Sequence, residues 1–204
     1  MNCGKAAAAT ALALFAGVSV LLSAVAARAW TPNAKDEARL ARGEVAVEVA
    51  PDPGRSSGLI HAAVDVPAAA ADKVWAIILD CAQAPRLLRF VKTCRVVEAD
   101  PASAWDVREQ TIDYGFLLPP VRIRFRSDYE AQRRIEFHCV AGSQVKVCDG
   151  EWRLEPGPGG TVRVIYDTAI LSPYPVPAFL ARGILGADIA RGLRALRREA
   201  TGGP

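Results

Sequence analysis

The clearest alternation of apolar and polar residues lies in the second half of the chain. From Thr93 onward the pattern has a period of two, which is typical of strands with one buried face. Short connections separate the alternating runs, and such runs form an antiparallel sheet with one apolar side. The pattern predicts six strands, at residues 94–99, 105–111, 121–126, 135–140, 150–155 and 162–168.

A further strand and two short helices are predicted ahead of this run. Residues 60–66 alternate Ile, Ala and Val with His61, Ala63 and Asp65, which favours a half-buried strand. Pro67 suits the first turn of a helix, where its missing N–H costs nothing. Val74, Ile77 and Ile78 then recur at helical spacing, and Pro85 opens a second short helix.

The chain closes with a long predicted helix that ends near Glu199. Its apolar stripe consists of Leu185, Ile189, Leu193 and Leu196. Three glycines interrupt it, and each lowers helix stability by about 1 kcal/mol relative to alanine. We interpret them as leaving backbone room on the inner side of the helix.

This order of elements predicts an α+β fold. The sheet has one apolar face, and the C-terminal helix is the one predicted element long enough to cover that face. The sheet must therefore curve around the helix. Such a sheet stays open, and a space lined by inward-facing residues remains between sheet and helix.

Residues 1–29 have the features of a secretory signal peptide. Lys5 precedes an uncharged, Ala-rich stretch, and Ala27-Arg28-Ala29 fits a signal-peptidase site, with cleavage after Ala29. An uncleaved membrane anchor is the alternative. We predict export, to the periplasm. Residues 30–58 then form an extension with a short strand near 44–50, residues 59–199 form the main domain, and residues 200–204 form a disordered tail.

Cleavage changes both the charge and the cysteine count. Loss of Lys5 and Arg28 reduces the 25 basic residues to 23, against 22 acidic ones, so the mature charge is +1. A nearly neutral chain is not a nucleic-acid binder by electrostatics. Four cysteines remain, which predicts two disulfides. Three connectivities exist, and we expect local pairing, Cys81 with Cys94 and Cys139 with Cys148. No CxxC spacing indicates a metal site.

Several segments together resemble a known superfamily. GLIHAAVDVPAAAADKVWAIILD, VKTCRVVEAD, GEWRLEP, GTVRVIYD and VPAFLARGILGADIARGLRALRREA follow one another over residues 59–199. This order resembles START-like (SRPBCC) proteins, and within them the polyketide cyclase/dehydrase and lipid transport branch, which includes coenzyme-Q-binding proteins. The resemblance implies a helix-grip fold with a hydrophobic ligand cavity, no cofactor and no invariant catalytic set.

Strict alternation along the strands gives the expected cavity wall. A pocket of about 300–1,000 Å³ is typical of ligand sites. Loops near 114–121 and 172–177 are expected to border its mouth. The predicted ligand-binding residues are Trp105, Val107, Glu109, Phe116, Leu118, Ile123, Phe125, Phe137, Trp152, Tyr166, Phe179, Gly186 and Ile189.

Two features of this wall have alternative interpretations. Glu109 either anchors a ligand or acts as an acid from the inner face, is turned outward by a bulge, or pairs with a nearby arginine. The run Phe116-Leu117-Leu118, in the turn YGFLLPP, is either an apolar gate that touches a membrane transiently or ordinary core under the last helix.

Three functions are compatible with these features. The first is an exported carrier of a lipid-like ligand such as a quinone, sterol, hopanoid or acyl chain. The second is a polyketide-type cyclase or dehydratase, for which Glu109 with Tyr114 or Tyr166 is the one candidate set. The third is a protein-interaction module whose cavity is filled by its own side chains. The family resemblance gives no reason to pair His61 or His138 with a serine or cysteine nucleophile.

Overall fold

The structure is a computed structural model that describes residues 30–51, 58–171, 173–174 and 177–203. The predicted signal peptide, residues 1–29, lies outside the described residues. Export therefore stays a prediction.

Within the described residues, eight antiparallel strands form one sheet. In order across the sheet they are β1-β2-β8-β7-β6-β5-β4-β3. The six predicted strands of the second half are all present, and the expected α+β, helix-grip architecture is confirmed. The strands are β1 (Ala46–Pro51), β2 (Gly58–Pro67), β3 (Val91–Ala99), β4 (Trp105–Ile112), β5 (Val121–Glu130), β6 (Arg134–Cys139), β7 (Val147–Pro156) and β8 (Thr161–Leu171).

The part of the chain that the structure describes also contains four α-helices. They are α1 (Ala34–Ala41), α2 (Ala71–Leu79), α3 (Ala84–Leu87) and the long α4 (Ala178–Thr201). The sequence patterns missed α1, which begins with a capping box: the Asn33 side chain accepts from the backbone N–H of Asp36, and the Asp36 carboxylate accepts from that of Asn33. Among the described residues, no helix is both long and apolar enough to cross a membrane.

The main core lies between the concave face of the sheet and the helices. α4 packs on β1, β2, α2 and α3. Val64, Val164, Leu193 and Leu196 are almost completely buried there. The half of α4 that carries Leu193, Ala195, Leu196 and Ala200 is thus anchored in the core, whereas Phe179 and Leu180 in its first turn are exposed.

Both expected disulfides are present. Cys81, just after α2, joins Cys94 on β3 across a Cα–Cα distance of 5.4 Å. Cys139 on β6 joins Cys148 on β7 across 5.3 Å. Both distances lie within the normal range of about 4.4–6.8 Å. The first bond holds the segment after α2 against β3, beside the cavity described below.

A close approach of chains explains why residue 150 is glycine. Gly150 on β7 lies opposite Phe137 on β6. A Cβ added to Gly150 would lie 2.6 Å from the Phe137 ring and 2.9 Å from the Thr168 Cα, and it would also clash with the Asp167 carbonyl oxygen. The missing side chain therefore lets the Phe137 ring approach β7 closely.

We expect Gly150→Ala to lower the free energy of unfolding by about 1–3 kcal/mol, the usual cost of overpacking. Gly58→Ala on β2 is the matched control, because the nearest atom to its added Cβ is 3.9 Å away. Urea titration of both variants measures the difference. Equal stability of the two would contradict this explanation.

Candidate ligand cavity

Two adjoining cavities lie between the concave face of the sheet and α4. Their volumes are about 120 Å³ and 110 Å³. The larger extends towards α2 and α3, and the smaller towards the start of α4. The two share wall residues from four strands, from α4 and from the position just after α3: Leu88, Gln110, Phe125, Phe137, Tyr166 and Ile189.

A row of aromatic rings crosses the sheet side of this interior. The Phe125 and Phe137 ring centroids are 5.9 Å apart, and those of Phe137 and Tyr166 are 6.1 Å apart. Trp152 continues the row, at 4.4 Å from Tyr166. The wall is therefore largely apolar, with the Tyr166 hydroxyl as a polar group within it.

The cavities are smaller than the expected 300–1,000 Å³, because the aromatic row and Leu88 fill part of the space. A lipid-sized ligand therefore requires some of these side chains, or the first half of α4, to move outward. The wall of the cavity is preformed, but the volume that a lipid-sized ligand needs is not.

A buried arginine closes the α2 end of the larger cavity. Arg108 on β4 is 8% exposed, and its Nε lies 3.0 Å from both carboxylate oxygens of Asp106. It also donates to the carbonyl oxygens of Ile78 and Leu79 at the end of α2, at 3.1 and 2.7 Å, and to the Tyr129 hydroxyl at 3.0 Å. A cation at the C-terminal end of a helix is electrostatically favourable. Arg108 thus ties α2 to the sheet.

Two tyrosines of the interior stay protonated at neutral pH. Burial, with a contribution from Asp106, raises the pKa of Tyr129 well above its usual value. Burial raises the pKa of Tyr166 to about 12. Tyr166 can therefore donate a hydrogen bond to a ligand, and it is not a base at neutral pH.

The carboxylates on the cavity walls all have partners. Asp80 accepts from the Ala82 N–H and the Gln83 side chain, and these bonds lower the pKa of Asp80. Asp188 on α4 accepts from the Arg89 backbone N–H and the Arg191 guanidinium. The chain segments that the structure describes contain no group of three or more His, Cys, Asp or Glu suited to hold a metal ion.

The smaller cavity reaches the surface beside the start of α4. Phe90 and Tyr114 stand at this end, with ring centroids 4.7 Å apart, and Asp188 lies next to them. Burial and the nearby Asp188 charge raise the pKa of Tyr114. Outside them, an open groove of about 530 Å³ runs along α4 and shares Phe90 and Asp188 with the cavity. We call this end the mouth.

Six of the predicted binding residues do line the interior, and one lies in the outer groove. The six lie on β5, β6, β7, β8 and α4, where the residues predicted to face inward do face inward. They are Ile123, Phe125, Phe137, Trp152, Tyr166 and Ile189. Phe179 is 72% exposed and lines the groove. Whether they contact a ligand stays a prediction.

The prediction was wrong by one residue along β4. Gln110 lies opposite Ile123, and Arg108 lies opposite Phe125, so the even-numbered residues of β4 face inward. Trp105, Val107 and Glu109 therefore belong to the outer face. Trp105 is covered there by the Arg126 guanidinium, 4.2 Å from its ring. Hydrophobicity misled the assignment, because β4 turns its polar side chains inward.

Glu109 consequently takes the alternative role of an outer-face ion pair. Its Oε1 accepts from Arg95 Nη2 at 2.7 Å and Nε at 3.1 Å. The hydrogen bond from Arg95 lowers the pKa of Glu109, with added effects from the charges of Arg95, Arg122 and Arg124. Glu109 is therefore ionised at neutral pH and does not touch the cavity.

We expect Glu109→Gln to leave ligand affinity unchanged, because the side chain lies on the far side of the sheet. Gln110→Leu is the comparison, since Gln110 on the same strand lines both cavities. Titration of each variant with a fluorescent fatty acid tests this. A selective loss of affinity in Glu109→Gln would put Glu109 back in the site.

Three further predicted residues lie away from the interior. Phe116 is 99% exposed, which excludes the core interpretation for this side chain. Leu118 is half-buried but lines neither cavity. Gly186 faces β1, because an added Cβ would contact Val49 at 3.4 Å. Its missing side chain serves helix–strand packing and does not enlarge the cavity.

Sequence patterns missed the polar part of the site. Arg108 and Gln110 were placed outside by alternation, and Asp188 was hidden among the polar residues of α4. The arrangement of Asp106 and Arg108 at i and i+2 was the available signal, since such residues share a face of a strand.

A family model described as polyketide cyclase / dehydrase and lipid transport matches residues 67–197. A comparison with curated proteins finds no similar sequence. Among solved structures, a STAR-related lipid transfer protein from Xanthomonas axonopodis is 19% identical, with a TM-score of 0.63 over 77% of this chain and 93% of that one.

Two other solved structures show the same fold. The Zhui aromatase/cyclase from a Streptomyces species is 18% identical, with a TM-score of 0.52 over 71% of this chain and 91% of that one. The lipid transfer and protein localization domain of human StarD13 is 16% identical, with a TM-score of 0.55 over 81% of this chain and 93% of that one.

Proposed function

This chain belongs to the polyketide cyclase / dehydrase and lipid transport family, and we propose that it is an exported carrier of a lipid-like molecule. The ligand occupies the interior between the concave face of the sheet and α4. The observation that carries the proposal is the preformed aromatic wall of this interior, with its mouth beside the start of α4. Burial of apolar ligand surface supplies about 25 cal/mol per Å².

We expect the ligand to enter as the first half of α4 moves outward. Phe179, Leu180, Arg182 and Gly183 are exposed, and a Cβ added at Gly183 would have no neighbour within 4 Å. The second half is held by Leu193 and Leu196 in the core. Outward movement of the first half joins the cavities to the groove and provides the volume that a lipid needs.

Two features support export. Residues 1–29 have the sequence of a signal peptide. The two disulfides suit an oxidising compartment such as the periplasm. An exported carrier would shield an apolar molecule from water between membranes.

The exposed apolar side chains near the mouth support contact with a membrane surface. Phe116, Phe179 and Leu180 are 99%, 72% and 43% exposed.

We expect the double variant Phe116→Ser/Phe179→Ser to slow ligand transfer from vesicles about tenfold, because less apolar surface enters the bilayer. Its affinity for a free ligand should fall much less than its transfer rate, because Phe179 lines the outer groove and neither cavity. A Val96→Ser variant, also at an exposed apolar position, is the control. Transfer at the wild-type rate by the double variant would contradict membrane contact at these residues.

The polar groups of the interior favour a cyclase as the second candidate. Gln110, Ser127 and Tyr166 face the cavities, and Arg108 closes one end. However, a cyclase needs a base as well as an acid. Glu109 lies on the other face of the sheet, and Asp80, Asp106 and Asp188 are engaged in hydrogen bonds. The carrier is therefore the better supported function.

Transfer of a fluorescent lipid between vesicles tests the carrier function. The mature, oxidised protein is incubated with donor vesicles containing a polyene fatty acid and with unlabelled acceptor vesicles. We expect transfer that increases with protein concentration, and the recovered lipid should have an unchanged mass. Recovery of a cyclised or dehydrated product from a polyketide-like substrate would favour the enzyme. Absence of both transfer and binding would refute the carrier.

A further inference from the structure

The groove outside the mouth combines apolar and basic side chains. Phe179, Leu180 and Ile184 of α4 line it on one side, and Phe90 lines it on the other. Because Phe90 and Asp188 belong to both the groove and the smaller cavity, a ligand in the cavity that extends past them enters the groove.

The charges of the groove are unbalanced. Arg89, Arg191 and Arg194 line it, and Asp188 is the one carboxylate among its described residues. Arg191 pairs with Asp188, which also accepts from the Arg89 backbone N–H. Within the described part of the chain, the guanidinium groups of Arg89 and Arg194 have no carboxylate partner. That of Arg89 lies over the Phe90 ring, 4.3 Å from its centroid.

We propose that the groove is the headgroup site for an anionic amphiphile, whose apolar tail occupies the interior. This deepens the carrier function and rests on it. Arg89 and Arg194 provide the positive charge and the guanidinium geometry that suits a carboxylate or a phosphate. The apolar side chains between these arginines and the mouth suit the first part of the tail.

The position of the arginines makes the site selective for charge. They lie at the surface, so a ligand keeps its headgroup partly hydrated and avoids the cost of burying a charge. An uncharged ligand of the same length gains the same burial in the interior and forms no charge-assisted hydrogen bond. The difference should appear as a preference for acid over neutral ester, and it should weaken as salt concentration rises.

A matched pair of fluorescent ligands tests this preference. cis-Parinaric acid and its methyl ester share a tail and differ in charge. We expect the wild-type protein to bind the acid about tenfold more tightly, which corresponds to about 1.4 kcal/mol. Arg89→Gln/Arg194→Gln should reduce the preference to near parity without changing affinity for the ester. Arg198→Gln, an exposed arginine of α4 outside the groove, is the control and should retain it.

Displacement of bound ester distinguishes the anions. Stronger displacement by oleate than by oleoyl lysophosphatidate indicates a carboxylate site, and the reverse indicates a phosphate site. Displacement by uncharged monoolein that equals displacement by the two anions would overturn the proposal. The proposal would also fail if Arg89→Gln/Arg194→Gln lost binding to phosphatidylglycerol vesicles but kept the preference for the free acid over its methyl ester. Equal binding of acid and ester by the wild type would refute the headgroup site alone, whereas failure to bind either would also refute the carrier.

Discussion

Ile189→Trp is expected to abolish lipid binding while the protein stays folded. Ile189 on α4 lines both cavities, beside the shared wall residues Phe125 and Tyr166. An indole at this position enters the space that the ligand tail needs. We expect affinity for a fluorescent fatty acid to fall at least about 100-fold, or about 2.7 kcal/mol. The stability cost should stay within the range of about 1–3 kcal/mol for overpacking.

Val96→Trp is the matched control for this result, because it adds the same ring at a position on β3 that is 48% exposed. Circular dichroism and thermal unfolding show whether each variant is folded. Wild-type affinity in a folded Ile189→Trp variant would mean that the ligand binds elsewhere.

Arg108→Met is expected to cause the largest loss of stability. The substitution leaves the buried Asp106 carboxylate without its cation and removes the donors to the carbonyl oxygens of Ile78 and Leu79. Removal of one partner of a buried ion pair costs about 3–5 kcal/mol. Urea unfolding measures this loss.

Arg126→Met is the control for charge removal, since its partner Asp128 is partly solvated and such pairs contribute about 0–1 kcal/mol. The substitution Asp106→Leu, added to Arg108→Met, should recover part of the lost stability because it removes the unpaired carboxylate. Equal losses for Arg108→Met and Arg126→Met would contradict the structural role given to Arg108.

The buried arginine also explains the shape of the site. By joining the end of α2 to β4, Arg108 fixes the closed end of the larger cavity. The disulfide between Cys81 and Cys94 holds the segment after α2 on β3 nearby. One end of the interior is therefore rigid, whereas the start of α4 has exposed side chains. This difference favours ligand entry at the mouth.

Element order and periodicity were sufficient to predict the fold. The alternating strands of the second half and the stripe of α4 are local patterns, and local patterns determine which face of each element is apolar. The order of the elements then left one way to cover the sheet. The expectation that nearby cysteines pair with each other, one of three possible connectivities, was confirmed.

The site was predicted only in part, because the apolar residues of each alternating strand were assumed to face inward. It placed Phe125, Phe137 and Tyr166 correctly, since these strands turn apolar side chains inward. It failed on β4, where Arg108 faces inward and Trp105 lies outside under Arg126. Which residues of such a strand face inward depends on how the strand pairs with its neighbour. The sequence of the strand alone does not contain this information.

The volume of the interior could not be predicted either. It depends on the rotamers of Trp152, Tyr166 and Leu88 and on the distance between α4 and the sheet. Gly186 illustrates the same difficulty, because its approach to Val49 on β1 is a tertiary contact. A helical glycine in the sequence indicates a close approach without identifying the neighbour.

Native mass spectrometry of the protein purified from the cells that naturally produce it is the most direct test that the interior carries a lipid-like molecule. The carrier account predicts a noncovalent adduct that is lost on denaturation, is absent from Ile189→Trp and is present in Val96→Trp. The extracted molecule should be an amphiphile that rebinds unchanged. A wild-type protein that shows the mass of the bare chain, and that takes up no lipid from vesicles, would contradict the account.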